Sequence, residues 1–193
     1  MKRKRQFTAR VLALLLAAVL LGGTVPLGIT AADTIAVSPT ALTTIVLADA
    51  CEAFGHIDGG EGQLYVETTL GDPYFDRVRP GDRIDLKVRV EKAGTYRWCV
   101  VSGWAKDAAN GTFRLFLDGE QITEPLANQV PGIDWRTWQD STPGTVKLPA
   151  GEHTLSLVTD TAGPNLYALK LAPEGVELSV PEGTVPLCEA DSN

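Results

Sequence analysis

The residue types that most often carry catalysis or bind metals are scarce in this chain: two histidines, three cysteines and one methionine in 193 residues. Neither His56 nor His153 belongs to a pair such as H-E-x-x-H, so no zinc hydrolase site is written here. His153 alternates with Leu155 and Leu157, which reads as a packed or edge histidine on a strand. "VSGW" lacks the glycine spacing of a nucleophile elbow. No Gly-rich phosphate cradle follows a strand and opens a helix. Carboxylates are abundant, and a glycosidase needs only two that face each other. Asp58 and Glu61 in "IDGGEG" read as turn residues, however, and most other acids fall on polar strand faces or in loops. The chain is therefore read as non-enzymatic.

Basic residues are outnumbered, 17 to 24, and they cluster at the start. "MKRKRQFTARVLALLLAAVLLGGTVPLGITAADT" has a basic opening, an apolar run from Val11 to Leu21, a Gly/Pro break and small residues ending at Ala32. That is the pattern of a secretory signal over residues 1–32, cleaved after Ala32. The apolar run is too short to span a membrane comfortably. Lys4-Arg5 replaces the pair of a twin-arginine signal, and no cysteine follows the run as it would in a lipoprotein. The leader holds five basic residues and no acidic ones, leaving 12 against 24 and a net charge of −12. Such a surface repels nucleic acid and anionic membranes. The expectation is a secreted, extracellular monomer.

After export, Cys51, Cys99 and Cys188 allow one disulfide and leave one thiol. Cys99 in "YRWCVV" reads as buried and inert. A Cys51–Cys188 bridge is one arrangement, and sequence cannot fix its geometry. "NGT" at Asn110 matches a glycosylation sequon, a pattern that arises by chance as often as not.

Residues 33–48 read as an extended lead-in, 49–173 as one folded domain, and 174–193 as a tail that could add an edge strand. The domain is almost wholly of period two. "RIDLKVRVE" places Ile84, Leu86, Val88 and Val90 on one face and charged residues on the other, a half-buried strand. "GTYRWCVVSGW" is apolar on both faces and so more central. "TFRLFLDGE" ends in the hairpin pair Asp118-Gly119. "TVKLPAGEHTLSLVTD" and "NLYALKLAP" supply further strands. With no convincing helical period, the fold class is all-β, an antiparallel β-sandwich.

Binding chemistry is easier to find than catalysis. A pyranose has an apolar C–H face and a rim of hydroxyls, matched by a flat aromatic and a few fixed polar groups. Candidates are Tyr74 and Phe75 in "GDPYFDR", Trp135 and Trp138 in "DWRTW", and Asn165 in "AGPNLY". All three stretches adjoin strand ends, where a sandwich gathers its loops. Residues three apart on an extended segment face opposite ways. Trp135 is therefore expected to be exposed and Trp138 to be a core pillar.

The order "CEAF … RPGDRIDLKVRVEKAGTYRWCVV … FRLFLDGE … DWRTW … VKLPAGEHTLSLV … GPNLYALKL", from Glu52 to Leu171, resembles family 6 and family 35 carbohydrate-binding modules. These are galactose-binding-like jelly rolls. The resemblance implies a sugar site in the loops at one end of the sandwich. It implicates Trp135, Asn165 and either Tyr74 or Phe75, with Trp138 beside them. The implied partner is a poly- or oligosaccharide. Such modules often hold a structural calcium through two glutamates of Glu-Ala-Glu and a later aspartate. Here Glu52 is kept, but Phe54 and Tyr167 stand at the other two positions, so no cofactor or metal is expected. The alternative reading is a structural or adhesion domain of the same fold whose sugar site has decayed.

Overall fold

A computed structural model describes residues 33–59, 64–69, 71–108 and 111–178. The leader, Glu61, Asn110, Cys188 and residues 179–193 lie outside them. In chain order come β1 (Ile35–Val37), β2 (Thr43–Val46), a four-residue helix α1 (Leu47–Ala50), β3 (Cys51–His56), β4 (Tyr65–Glu67) and β5 (Tyr74–Asp76). Then follow β6 (Asp82–Val90), β7 (Gly94–Gly103), β8 (Thr112–Leu117), β9 (Glu120–Gln121) and β10 (Leu126–Ala127). The last are β11 (Gln139–Asp140), β12 (Gly144–Leu148), β13 (Gly151–Thr159) and β14 (Asn165–Pro173).

They form two sheets. One runs β1-β6-β13-β8-β10, with β3 also on β6 and β9 on β8. The other runs β11-β7-β14-β5-β4, with β12 also on β7 and β2 on β14. Among the described residues the named strands all pair antiparallel except β1 with β6, where Ile35 lies opposite Val88. This is a sandwich, as the period-two pattern requires.

The alternation sets the register. Leu86 lies opposite Leu155, and Ile84 opposite Leu157. Leu155 and Leu157 continue the row to Leu117 and Leu115 on β8. Across the interior, Trp98, Val100, Leu169 and Leu171 of the second sheet complete the same buried cluster. Each such side chain contributes roughly 1.5–3 kcal/mol relative to leaving it exposed. A one-residue slip would turn a whole row outward, so the pairing is strongly specified.

Within the extended stretch 33–48, β1 pairs with β6 of one sheet and β2 with β14 of the other. Its apolar members Val37, Ile45 and Leu47 are buried. Of the tail, Leu178 packs with Cys99 and Ala172 in a small second cluster. Burial pushes the Cys99 thiol up to about 12, which makes it the inert group expected. Among the described residues Cys51 and Cys99 form no disulfide, and the Cys51–Cys188 bridge lies outside the described residues. Among the described residues no helix is long and apolar enough to cross a membrane.

Candidate functional site

The loop between β10 and β11 carries "DWRTW", and its base is fixed first. Asn128 is buried, and its Oδ1 accepts from the Val130 and Thr142 amides at 3.1 and 3.0 Å. The Gln129 amide donates to Thr142 Oγ1 at 2.8 Å. The two ends of the loop are thereby tied together. Its middle rests on Trp104, which is fully buried. Gly132 makes that contact: a Cβ there would lie 2.6 Å from both Trp104 Nε1 and the Ala105 carbonyl oxygen.

The tip is a turn held by Asp134. Its Oδ1 accepts from the Arg136 and Thr137 amides at 2.8 and 2.7 Å, and its Oδ2 from the Thr137 hydroxyl at 2.5 Å. A short acidic side chain that bonds the backbone two and three residues on is the usual device for stopping extended chain. The Thr137 hydroxyl and then the Arg136 amide hold the Asp134 carboxyl below its ordinary range. A depressed folded value gives stabilisation that is complete above the ordinary aspartate value of about 3.9 and lost as pH falls through the folded value. The turn should thus be insensitive to pH between neutrality and about pH 5, and should loosen only below about pH 4. Trp135 emission followed through an acid titration checks this; a transition near pH 6 would contradict it.

Trp135 projects from this turn and is 45 % exposed, one of three large apolar side chains left so open among the described residues, with Phe54 and Ile133. Its carbonyl oxygen accepts from Asn165 Nδ2 at 2.9 Å. Gly103, opposite Asn165 in the β7–β14 pairing, is required at the same place. A Cβ on Gly103 would sit 2.7 Å from the Trp135 carbonyl oxygen. The backbone of Trp135 is thus seated on the ends of two central strands while its indole stays in water.

Beside it lies a cleft of about 470 Å³ lined by Tyr74, Asp76, Arg77, Val78, Trp135, Arg136, Gly163 and Asn165. The Tyr74 phenol is pushed up, first by burial, then by the charges of Asp76 and Glu67, with Arg136 opposing them. Each Asp76 oxygen has a donor: Oδ1 accepts from the Arg77 amide at 2.5 Å and Oδ2 from the Tyr65 hydroxyl at 3.1 Å. A second cleft of about 540 Å³ lies toward the opposite ends of β6 and β13 and includes Lys87, Asp118, Glu152 and His153.

The structure thus brings Trp135, Tyr74 and Asn165 to one cleft. Phe75 is not there: it is fully buried in the core and meets Phe54 edge-on at 5.1 Å. Alternation explains the split, since adjacent residues on β5 face opposite ways. Trp138 is not the expected core pillar either. It is half-buried, stacked on Tyr167 at 5.1 Å and edge-on to Tyr74 at 5.2 Å. The reason is the Asp134 turn, because the two-face argument holds only for extended chain. Trp98 and Trp104 are the buried indoles. Sequence reasoning passed over Trp104, Gly103 and Asp134. The signal for the last was an Asp two residues before the N–H it caps.

No family model matches the chain, and no curated protein matches its sequence. Solved structures do match its shape. The C-terminal family 6 carbohydrate-binding module of LamC, a marine laminarinase from Zobellia galactanivorans, superposes with a TM-score of 0.54 at 18% identity, covering 68% of this chain and 98% of that one. A family 35 module from Clostridium thermocellum gives 0.53 at 18% identity, covering 68% and 98%. The chain has the fold of a family 6 or family 35 carbohydrate-binding module. A family 6 module from Clostridium cellulolyticum, solved in complex with xylose, gives 0.52 at 21% identity, covering 67% and 96%. Identity at this level speaks to the jelly-roll sandwich and leaves the ligand to the residues of the cleft.

The calcium position of such modules can be compared with the side chains present. Phe54 packs on Phe75, Tyr167 stacks on Trp138, and Glu52 is ion-paired with Lys87. Two aromatics and an engaged carboxylate do not suit a hard cation that needs six or more oxygens. Among the described residues no group of three or more His, Cys, Asp or Glu converges as a metal site.

Proposed function

We propose that this chain is a secreted, non-catalytic carbohydrate-binding module that takes an oligosaccharide in the cleft beside Trp135. The observation that carries this reading is an indole kept open to water on a turn whose backbone is held by Asp134, Asn165 and Gly103. An apolar ring fixed in water gains free energy only when a partner covers it. The C–H face of a pyranose fits that surface, with Tyr74 as a side wall and Asn165 at the floor. A single sugar bound this way should have a dissociation constant on the order of micromolar to millimolar.

The structural reading has one observation in its favour. Tyr74 and Asn165 are only 4 and 5 % exposed, so two of the three clamp members offer little surface. Acrylamide quenching separates the two. Of the four indoles only Trp135 is widely open, so a bound glycan should protect most of the quenchable emission and shift it to the blue. A panel of soluble glycans that leaves quenching unchanged up to about 10 mM, beyond the range named above, would favour the structural domain.

We also propose that no structural calcium is held, because Phe54 and Tyr167 fill the place of oxygen ligands. Chelation with EDTA should leave the melting temperature unchanged. A fall restored by calcium would show that other oxygens bind it.

A further inference from the structure

Resting on the reading of this cleft as a sugar site, we infer that Lys170 is a positioning residue for it. Its ion pair with Asp140 sets the register of β11, and that register turns Trp138 toward Tyr74, the side wall of the cleft. Lys170 itself is not among the residues that line the cleft. It stands in the middle of β14 between Leu169 and Leu171, both members of the core cluster. Alternation therefore puts its side chain on the outer face of the sheet. A lysine there usually reaches water, yet this one is only 6 % exposed. Its Nζ donates to both oxygens of Asp140, at 2.6 and 2.9 Å. Because β7 lies between β14 and β11, the side chain spans a whole strand to make that pair.

The strand it reaches needs a marker of register. β11 is two residues long, with Gln139 opposite Ser102 and Asp140 opposite Val101. Main-chain bonds are alike for every residue, so they fit a slipped β11 as well as the native one. Side chains make the difference. One marker is Ser141, whose Oγ accepts from the Val100 amide at 3.0 Å. The other is Asp140, which carries charge and ties β11 to the strand that bears Tyr167 and Asn165.

Register decides which way the aromatics face. With Asp140 on the outer face, alternation puts Gln139 inward, where its Oε1 is buried, and Trp138 outward. There Trp138 stacks on Tyr167 at 5.1 Å and 19° and meets Tyr74 edge-on at 5.2 Å. β14 is shaped to match. Its pairing with β7 is irregular between Leu166 and Ala168, which lie opposite the consecutive residues Ser102 and Val101. Counting back in twos from Leu171 and Leu169 would put position 167 in the core and Leu166 outside. The bulge reverses this: Leu166 belongs to the core cluster and Tyr167 receives Trp138. A slip of one residue in β11 turns Trp138 inward and leaves Tyr74 without its brace.

A positioning role separates from a merely stabilising one because a buried ion pair has two ways to be lost. Removing one partner strands a charge, whereas replacing both by apolar residues is often neutral for stability. Lys170→Met should therefore melt lower than the parent, and Lys170→Met combined with Asp140→Leu should melt with it. Neither variant keeps the register marker. Lys170→Arg keeps it, since a guanidinium also meets a carboxylate through two N–H groups.

Two measurements on the full chain test this. The first, without ligand, is the nuclear Overhauser contact between the Trp138 and Tyr167 rings. The second is affinity electrophoresis in gels containing xylan or mixed-linkage β-glucan. The parent and Lys170→Arg should show the ring contact and bind within about twofold of each other. Lys170→Met and the double variant should both lose the contact and be retarded about fivefold more weakly. Should the single variant fail to fold, the double variant carries the test. A ring contact that persists in the double variant would overturn the inference. So would a double variant that regains the parent's affinity along with its melting temperature, because the pair then contributes stability alone. Failure of the sugar site looks different: neither polymer retards the parent, or Trp135→Ala is retarded as the parent is. The ring contact then decides the register by itself.

Discussion

Trp104→Ala is expected to destabilise the protein by about 3–5 kcal/mol, the range for truncating a fully buried aromatic. Trp104 follows the last residue of β7, is fully buried, and carries the contact with Gly132. Its removal leaves a cavity under the loop that presents Trp135, so the effect should not stop at the core. Asn128 and Thr142 tie the base of the loop and Asn165 holds the Trp135 carbonyl, while Trp104 is the buried side chain on which Gly132 rests. A loss of glycan binding should therefore accompany the loss of stability even where the variant remains folded. Trp104→Phe separates packing from hydrogen bonding. Trp104 Nε1 is buried without a partner among the described residues. Phenylalanine gives up ring volume but also removes a polar group that burial penalises. It should cost far less, roughly 1 kcal/mol. Urea denaturation of the three proteins decides the matter; equal midpoints for Trp104→Ala and the parent would show that Trp104 is no support.

The fold was legible because alternation is a direct image of burial. Ile84, Leu86, Val88 and Val90 are each within 1 % of complete burial, and the five stretches read as strands became β6, β7, β8, β12 with β13, and β14. The short strands were not legible. β1 and β2 are three and four residues long, and their pairing with β6 and β14 depends on a sheet edge that only the folded chain possesses. The site was legible as a list of aromatics and only partly as a geometry. Asn165 was expected to meet hydroxyls, yet one of its amide N–H groups already donates to the Trp135 carbonyl. Phe75 and Tyr74 look equivalent in "PYF", and the pleat alone decides which faces the core. Trp138 was misplaced because a hydrogen-bonded turn at Asp134 replaces extended chain. In each case the missing information was a long-range contact or a local turn, neither of which has a periodicity.

Trp135→Ala should reduce glycan affinity at least a hundredfold, about 2.7 kcal/mol, while leaving stability within about half a kcal/mol. The two halves of this expectation have separate causes. Stability is spared because the indole is 45 % exposed and the bonds that seat the residue use its backbone, which alanine keeps. Affinity is lost because the indole is the only broad apolar surface open at the cleft, Tyr74 being 4 % exposed. A central, desolvated aromatic anchor typically carries most of the energy of a small interface. Trp138→Ala is the control of similar size. It removes the stack on Tyr167 and the edge contact with Tyr74, so it should cost about 1–2 kcal/mol of stability. Its effect on binding should be smaller than that of Trp135→Ala and should act through Tyr74. Titration calorimetry and urea denaturation on both variants give the four numbers needed. If Trp138→Ala abolishes binding and Trp135→Ala leaves it intact, the sugar lies over the Tyr74–Trp138–Tyr167 group. The exposed indole would then need some other ligand.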